Sequence, residues 1–294
     1  MTTTPTSTVT PRERAEVEAA NASGRRPVVL VHGLWLLAGS WDAWREHLES
    51  LGYATVAADW PGDPATVEEA RANPDALAGV SVGEVTDHVA ELIGALHREP
   101  VVIGHSFGGL ITQKIAGMGL AHAAVAIDPA PFRGVLPLPL STLRASSPVL
   151  ANPANYRRAV SLTFDQFRYA FANAVSAEEA ADLYRAYPVP APGRPLFQAA
   201  VANLDPRTEA SVDSERADRG PLLVISGEKD HIVPWAVAHA SFKKQFRNAN
   251  PTEIVEIPGR GHSLVVDSGW REVADAATMF LARHGAGPDA SDGS

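Results

Sequence analysis

The segment Gly104-His105-Ser106-Phe107-Gly108 sets a serine between two glycines, directly after the apolar run Val101–Ile103 and directly before residues of helical period. A sharp strand-to-helix turn there forces the serine into strained dihedrals and lifts its hydroxyl clear of a sheet, provided the glycines leave room for the crossing backbone. A serine hydroxyl is a weak nucleophile and needs a general base that is itself oriented by a carboxylate. His262, in Gly259-Arg-Gly-His-Ser263, follows the last strand-like run and is the candidate base. Two acids end strand-like runs: Asp230, after Leu222–Gly227, and Asp128, after Ala123–Ile127. The chain order Ser…Asp…His favours Asp230. Asp128 stands as the alternative acid, or simply as a cap for the segment that follows it.

Acyl transfer from such a serine builds negative charge on a carbonyl oxygen, which two preorganised backbone N–H groups stabilise. Phe107, next to the serine, offers one. The run Val28–Val31 leads into His32-Gly33-Leu34-Trp35, where Leu34 is the candidate second donor. His32 reads as a hydrogen-bonding residue of that turn. His105 is expected to face away from Ser106, since adjacent side chains diverge. Most of the remaining histidines fall within or at the ends of helical segments, where surface or packing roles suffice.

These groups need a scaffold that brings distant chain segments to one edge. Six short β-branched runs recur, at Val28–Val31, Thr55–Ala58, Val101–Ile103, Ala123–Ile127, Leu222–Ile225 and Ile254–Ile257, each of the kind buried on both faces. Between them the apolar residues have helical period at Ser40–Leu51, Val82–Leu96, Phe107–Met118, Pro234–Phe246 and Gly269–Arg283. That alternation predicts an α/β fold with a doubly wound, mostly parallel central sheet and functional groups at the carboxyl ends of its strands. Pro129–Gly220 breaks the pattern: it has no convincing strand, and it carries capping boxes at Thr163–Gln166 and Ser176–Glu179 and a last helix near Pro195–Leu204. The expected organisation is therefore a core of residues 25–128 and 220–284 with a helical insertion at 129–219. Polar tails are expected at 1–24, where a short helix from Arg12 is conceivable, and at 285–294.

Composition narrows the chemistry. The 294 residues are 45% hydrophobic with a formal net charge of −9 and contain no cysteine. Disulfides, thiolate metal sites and cysteine nucleophiles are excluded, and there is no basic footprint for nucleic acid or anionic membrane. No uncharged apolar run approaches a membrane span and no secretory leader is evident, which makes the cytoplasm the default address. No H-E-x-x-H, carboxylate–histidine cluster, Gly-x-Gly-x-x-Gly or P-loop accompanies a strand, so neither metal nor cofactor is expected. Nothing in the sequence bears on oligomeric state.

Taken together, the nucleophile elbow, the late histidine, the acid after a strand and the His-Gly turn resemble the α/β-hydrolase superfamily, in its branch with a His-Gly-X oxyanion loop and a helical cap. The resemblance covers Pro27 to His284. It implies Ser106 as nucleophile, His262 as general base and then acid, Asp230 as orienter, Leu34 and Phe107 as oxyanion amides, and a cap over the site. Serine rather than aspartate at the elbow disfavours the alkyl-enzyme chemistry of haloalkane dehalogenases and epoxide hydrolases. The expected activity is hydrolysis of a small to medium hydrophobic carboxylic ester or lactone. The alternatives are a carbon–carbon hydrolase or lyase, a cofactor-free perhydrolase, and a ligand-binding receptor that retains the fold. Trp35, Phe132, Phe164 and Phe167 are the aromatic residues expected to line the substrate pocket.

Overall fold

The computed structural model describes residues 7–289. Its core is a six-stranded parallel sheet formed by β1 (Pro27–Val31), β2 (Ala54–Ala58), β3 (Val101–His105), β4 (Ala123–Ile127), β7 (Leu222–Gly227) and β8 (Thr252–Ile257), in the order β2-β1-β3-β4-β7-β8. All six strands fall at the apolar runs of the sequence. Strand alternation sends successive side chains to opposite faces. Val28 and Leu30 join the cluster with Trp41, Trp44 and Leu48 of the segment around α2 (Asp42–Ser50) and Val273, Ala277 and Phe280 of α11 (Trp270–Arg283). Val29 and Val31 join the opposite layer, with Val85, Val89 and Leu92 of α4 (Val82–Gly94), Leu110 and Ile111 of α5 (Phe107–Gly117) and Val237 of α10 (Trp235–Gln245).

The register aligns the strands' carboxyl ends. His105 lies opposite Ile127, Ile127 opposite Ile225, and Gly227 opposite Ile257. Residues that follow β3, β4, β7 and β8 therefore emerge along one rim.

Several expectations need correcting. Residues 11–23 are not a tail but the helix α1 (Pro11–Ser23), opened by a capping box between Thr10 and Glu13. It buries Val17 and Ala20 in the hydrophobic core and also docks through polar groups. Edge strand β2 exposes unpaired backbone groups, a liability in any sheet. Here Glu16 accepts from Ala57 N–H at 3.0 Å, Glu13 accepts from Asp59 N–H at 2.8 Å, and Arg12 donates to the Ala57 carbonyl at 2.8 Å. Residues 285–289 also pack: Ala286 is buried, its carbonyl accepting from the Tyr53 hydroxyl, and Asp289 pairs with Arg98. The remainder of both expected tails, 1–6 and 290–294, lies outside the described residues. At the opposite edge β8 is only partly buried and carries Glu253, paired with Arg283 and His284.

Between β4 and β7 the chain forms α6 (Leu140–Leu150), α7 (Phe164–Ala170), α8 (Ala177–Ala186) and α9 (Arg194–Val201). Contrary to expectation it does contain strands, a two-residue antiparallel ladder of β5 (Ala159–Val160) with β6 (Ala191–Pro192). The box at Thr163–Gln166 forms on both sides. At Ser176 only half forms, because the Glu179 carboxylate instead accepts from Ser268 N–H at 2.6 Å. A short helix α3 (Val67–Ala72) lies between β2 and α4. Among the described residues no helix is long and apolar enough to cross a membrane.

Candidate active site

Ser106 follows β3 and caps α5 with φ 57° and ψ −119°, a left-handed conformation that a side-chain-bearing residue adopts only when its surroundings impose it. The surroundings here are glycines. A Cβ on Gly104 would stand 2.2 Å from the Gly108 carbonyl oxygen, and one on Gly108 would stand 2.0 Å from that of Val31. The elbow thus seats α5 against β1 at backbone contact. Ser106 N–H donates to the Ile127 carbonyl and its own carbonyl accepts from Ala130 N–H, both at 2.9 Å, tying the turn to the end of β4.

The loop after β1 lies against this turn. A Cβ on Gly33 would meet Ser106 Cβ at 2.7 Å and Ser106 Oγ at 3.3 Å. His32 fixes that loop: Nδ1–H donates to the Gly33 carbonyl and Nε2–H to Asp63, both at 2.9 Å, while Trp60 stacks on the ring and donates its Nε1–H to the His32 carbonyl. Burial alone would lower the His32 pKa, but the charge and hydrogen bond of Asp63 and the Gly33 carbonyl raise it above its ordinary value. Trp35 takes φ 65° and donates its Nε1–H to the Val160 carbonyl at 2.9 Å. Phe107 is the first residue of α5, so its N–H is one of the helix's amides without an intrahelical acceptor.

His262 lies in the loop after β8. That loop is held by Lys229 N–H on the Arg260 carbonyl, Ser263 N–H on the Phe171 carbonyl, and an ion pair of Arg260 with the buried Asp267. The buried imidazole donates Nδ1–H to Asp230 Oδ2 at 2.5 Å. Asp230 Oδ1 in turn accepts from Ile232 N–H at 2.6 Å and Val233 N–H at 3.0 Å. Burial works to raise the Asp230 pKa; the His262 charge, the hydrogen bonds from His262 and Asp128, and Val233 N–H overcome it and hold the carboxyl below its usual range. His262 Nε2 is buried and has no partner. No hydrogen bond joins it to Ser106 among the described residues, and in resting sites such contacts are commonly long until substrate arrives.

Two neighbours of His262 escaped the sequence reading. The His105 ring meets the His262 ring with centroids 4.5 Å apart, and Phe171 meets it edge-on at 4.9 Å. Burial, then the charge of His262, pushes the His105 pKa well down. The signal for His105 was present, since the residue ending β3 faces the same rim as the loops of β7 and β8. Phe171 carried none. Asp128 is also at the site, with its Oδ2 3.9 Å from His262 Nδ1.

Above Ser106 lies a cavity of about 170 Å³ lined by Phe107, Phe132, Val135, Leu143, Leu196 and Val233, among other mostly apolar residues. Of the four aromatics expected to line a pocket, Phe132 does. Trp35, Phe164 and Phe167 do not line this cavity. Trp35 and Leu34 instead border a crevice with His32 and Trp60. Phe164 and Phe167 pack with Tyr184, and Phe167 stacks on Phe171, because helical spacing within α7 turns both rings into the packing between helices. As for metal-binding groups, ligand atoms of His105, Asp128 and His262 lie within 4.8 Å of one another. Within that set Nδ1 of His262 is engaged by Asp230 and Oδ1 of Asp128 by Gly227.

Residues 28–276 match the alpha/beta hydrolase family, and the chain belongs to it. A search of curated protein sequences returns no match. Among solved structures the chain is similar to the monoacylglycerol lipase of Paleococcus ferrophilus, with 21% identity, TM-score 0.61, and coverage of 89% of this chain and 98% of that one. It is also similar to a pyrethroid hydrolase from Sphingobium faniae JZ-2, with 19% identity, TM-score 0.61, and coverage of 87% and 97%. A bromoperoxidase from Bacillus anthracis aligns at 19% identity, TM-score 0.61, over 87% and 92%. At these identities the likeness is one of fold.

Proposed function

We propose that the protein is a serine hydrolase that cleaves a small to medium hydrophobic carboxylic ester or lactone. The observation that carries this reading is the buried Asp230–His262 pair, whose unpartnered Nε2 shares the strand rim with a strained Ser106. In this reading Ser106 Oγ attacks the carbonyl carbon and its proton passes to His262 Nε2. The N–H groups of Leu34 and Phe107 hold the oxyanion. Collapse expels the alcohol, which takes the proton from His262, and a water activated by the same nitrogen then releases the acid from Ser106.

Residues 129–219 serve as a cap over the core of 25–128 and 220–284, supplying Phe132, Val135 and Leu196 to the cavity above Ser106. An apolar cavity of about 150 Å³ accommodates a molecule the size of benzene. One of about 170 Å³ suits an apolar group of similar size. The pyrethroid hydrolase and lipase similarities favour ester chemistry within the family without fixing the substrate.

The test is hydrolysis of p-nitrophenyl esters of graded acyl length, and of simple lactones, by the wild type and Ser106→Ala side by side. The expected result is turnover that peaks at short to medium acyl length and disappears in the variant. A folded wild type that turns over none of them would shift the reading to carbon–carbon cleavage or a non-catalytic receptor.

A further inference from the structure

Behind His262 stand two carboxyl groups where orientation of an imidazole requires one. Asp128 directly follows β4, is fully buried, and takes φ 41°, a left-handed conformation that is uncommon for any residue with a side chain. It is locked in place from both ends. Its N–H donates to the Ile225 carbonyl and its Oδ1 accepts from Gly227 N–H, each at 2.8 Å. These bonds aim Oδ2 inward, where it has no donor and lies 3.9 Å from His262 Nδ1, the same nitrogen that Asp230 Oδ2 holds at 2.5 Å. The titratable groups facing it are Asp230 from the β7 loop, His262 from the β8 loop and His105 from the end of β3.

Two buried carboxylates that converge on one imidazole nitrogen cannot both be ionised without a large cost, so one keeps a proton. The donor inventory decides which. Asp230 receives three hydrogen bonds, from His262 Nδ1–H, Ile232 N–H and Val233 N–H, whereas Asp128 receives one, from Gly227 N–H. Asp230 therefore takes the charge. The directions agree: burial, then the charge of Asp230 and the hydrogen bond between the two groups, pushes Asp128 well above the usual carboxylate range.

We propose that Asp128 is a positioning residue of the catalytic unit: it carries the shared proton, donates it as a hydrogen bond to Asp230, and becomes the orienting carboxylate if Asp230 is removed. No bond is made or broken beyond that one proton. In the intact protein it stays on Asp128 while His262 exchanges its Nε2 proton with Ser106. With Asp230 replaced by alanine, the Asp230 charge that adds to burial in holding the proton on Asp128 is gone, and His262 Nδ1–H is left without its acceptor. The proton leaves to solvent, and the Asp128 carboxylate faces His262 Nδ1.

The inference rests on the serine-hydrolase reading, and its test is a double-mutant cycle on ester turnover with Asp128→Asn, Asp230→Ala and the double variant. Asparagine keeps a donor toward Asp230 but cannot become a carboxylate. The expected result is that Asp128→Asn costs less than about threefold in kcat in the wild-type background and at least tenfold when Asp230 is already alanine. Equal costs in both backgrounds would reduce Asp128 to a structural residue and overturn the proposal. A wild-type loss from Asp128→Asn larger than that from Asp230→Ala would instead make Asp128 the charged acid.

Infrared difference spectroscopy of wild type against Asp128→Asn supplies a readout that does not depend on the Asp230 variants folding. A carbonyl stretch of a protonated carboxylic acid at neutral pH must be present in the wild type and lost in the variant, and its absence from the wild type overturns the proposal. Loss of turnover in Ser106→Ala is the control that separates failure of this inference from failure of the serine mechanism.

Discussion

Gly108→Ala tests whether the elbow is built on backbone contact between α5 and β1. The added Cβ would stand 2.0 Å from the Val31 carbonyl oxygen and 2.7 Å from that of His32. Ordinary van der Waals contact begins near 3.4 Å, so the helix start and the end of β1 would have to separate by more than an ångström. Neither partner is a flexible side chain. Overpacking a tight interior costs up to about 3 kcal/mol. Replacing glycine by alanine inside a helix returns about 1 kcal/mol. The net expectation is destabilisation by about 2 kcal/mol, roughly a thirtyfold increase in the unfolded fraction.

The same separation moves the Gly33 and Leu34 loop relative to Ser106. A displacement of about 1 Å in a catalytic constellation costs on the order of a hundredfold in turnover. Gly94→Ala is the internal control, because nothing stands within 4 Å of the new methyl at the end of α4, and it should be neutral or stabilising by up to about 1 kcal/mol. Urea denaturation together with ester turnover reads both quantities. A Gly108→Ala protein as stable and active as wild type would refute the backbone-contact account of the elbow.

Two further predictions concern pH. Burial alone would raise the Glu13 pKa, but its bond to His88 and the charge of that residue bring it below the ordinary carboxylate value. Its stabilising contribution is therefore full above about pH 4.5 and is lost as pH falls through the lowered value. Hydrogen exchange in residues 11–23 should rise with acidification before the sheet opens, and Glu13→Gln should abolish that pH dependence at a cost of about 1–3 kcal/mol at neutral pH. His32 has the opposite sign. Its raised pKa makes the Asp63 pair most stabilising below about pH 6.5, with the contribution lost as pH rises through the raised value, so the stability gap between wild type and Asp63→Asn should narrow toward alkaline pH.

The strands and the serine elbow were legible because burial on both faces of a parallel sheet writes continuous apolar runs into the sequence, and the elbow needs glycine at fixed offsets. The same logic placed Asp230 and His262 together, since each follows a strand whose carboxyl end the register brings to one rim. Helix α1 was hard to see because only Val17 and Ala20 supply its apolar contact, while the carboxylates of Glu13 and Glu16 meet the edge of β2. Its capping box, Thr10 to Glu13, was the readable signal. The aromatics of the inserted segment were ambiguous for a different reason. Periodicity shows that a ring faces inward, but only the arrangement of helices decides whether inward means cavity, as for Phe132, or packing, as for Phe164 and Phe167. The choice between Asp128 and Asp230 had no sequence answer beyond chain order, and the structure places both carboxyls beside His262.

Trapping the nucleophile tests the central claim most directly. The protein, incubated with an organophosphate or an aryl sulfonyl fluoride and digested for mass spectrometry, should acquire one adduct per chain, on Ser106, with turnover lost in proportion. Labelling should slow sharply in His262→Ala, because the hydroxyl then lacks its base. A fully folded protein that takes up no reagent, or takes it up at another residue while Ser106 stays unmodified, would contradict the account.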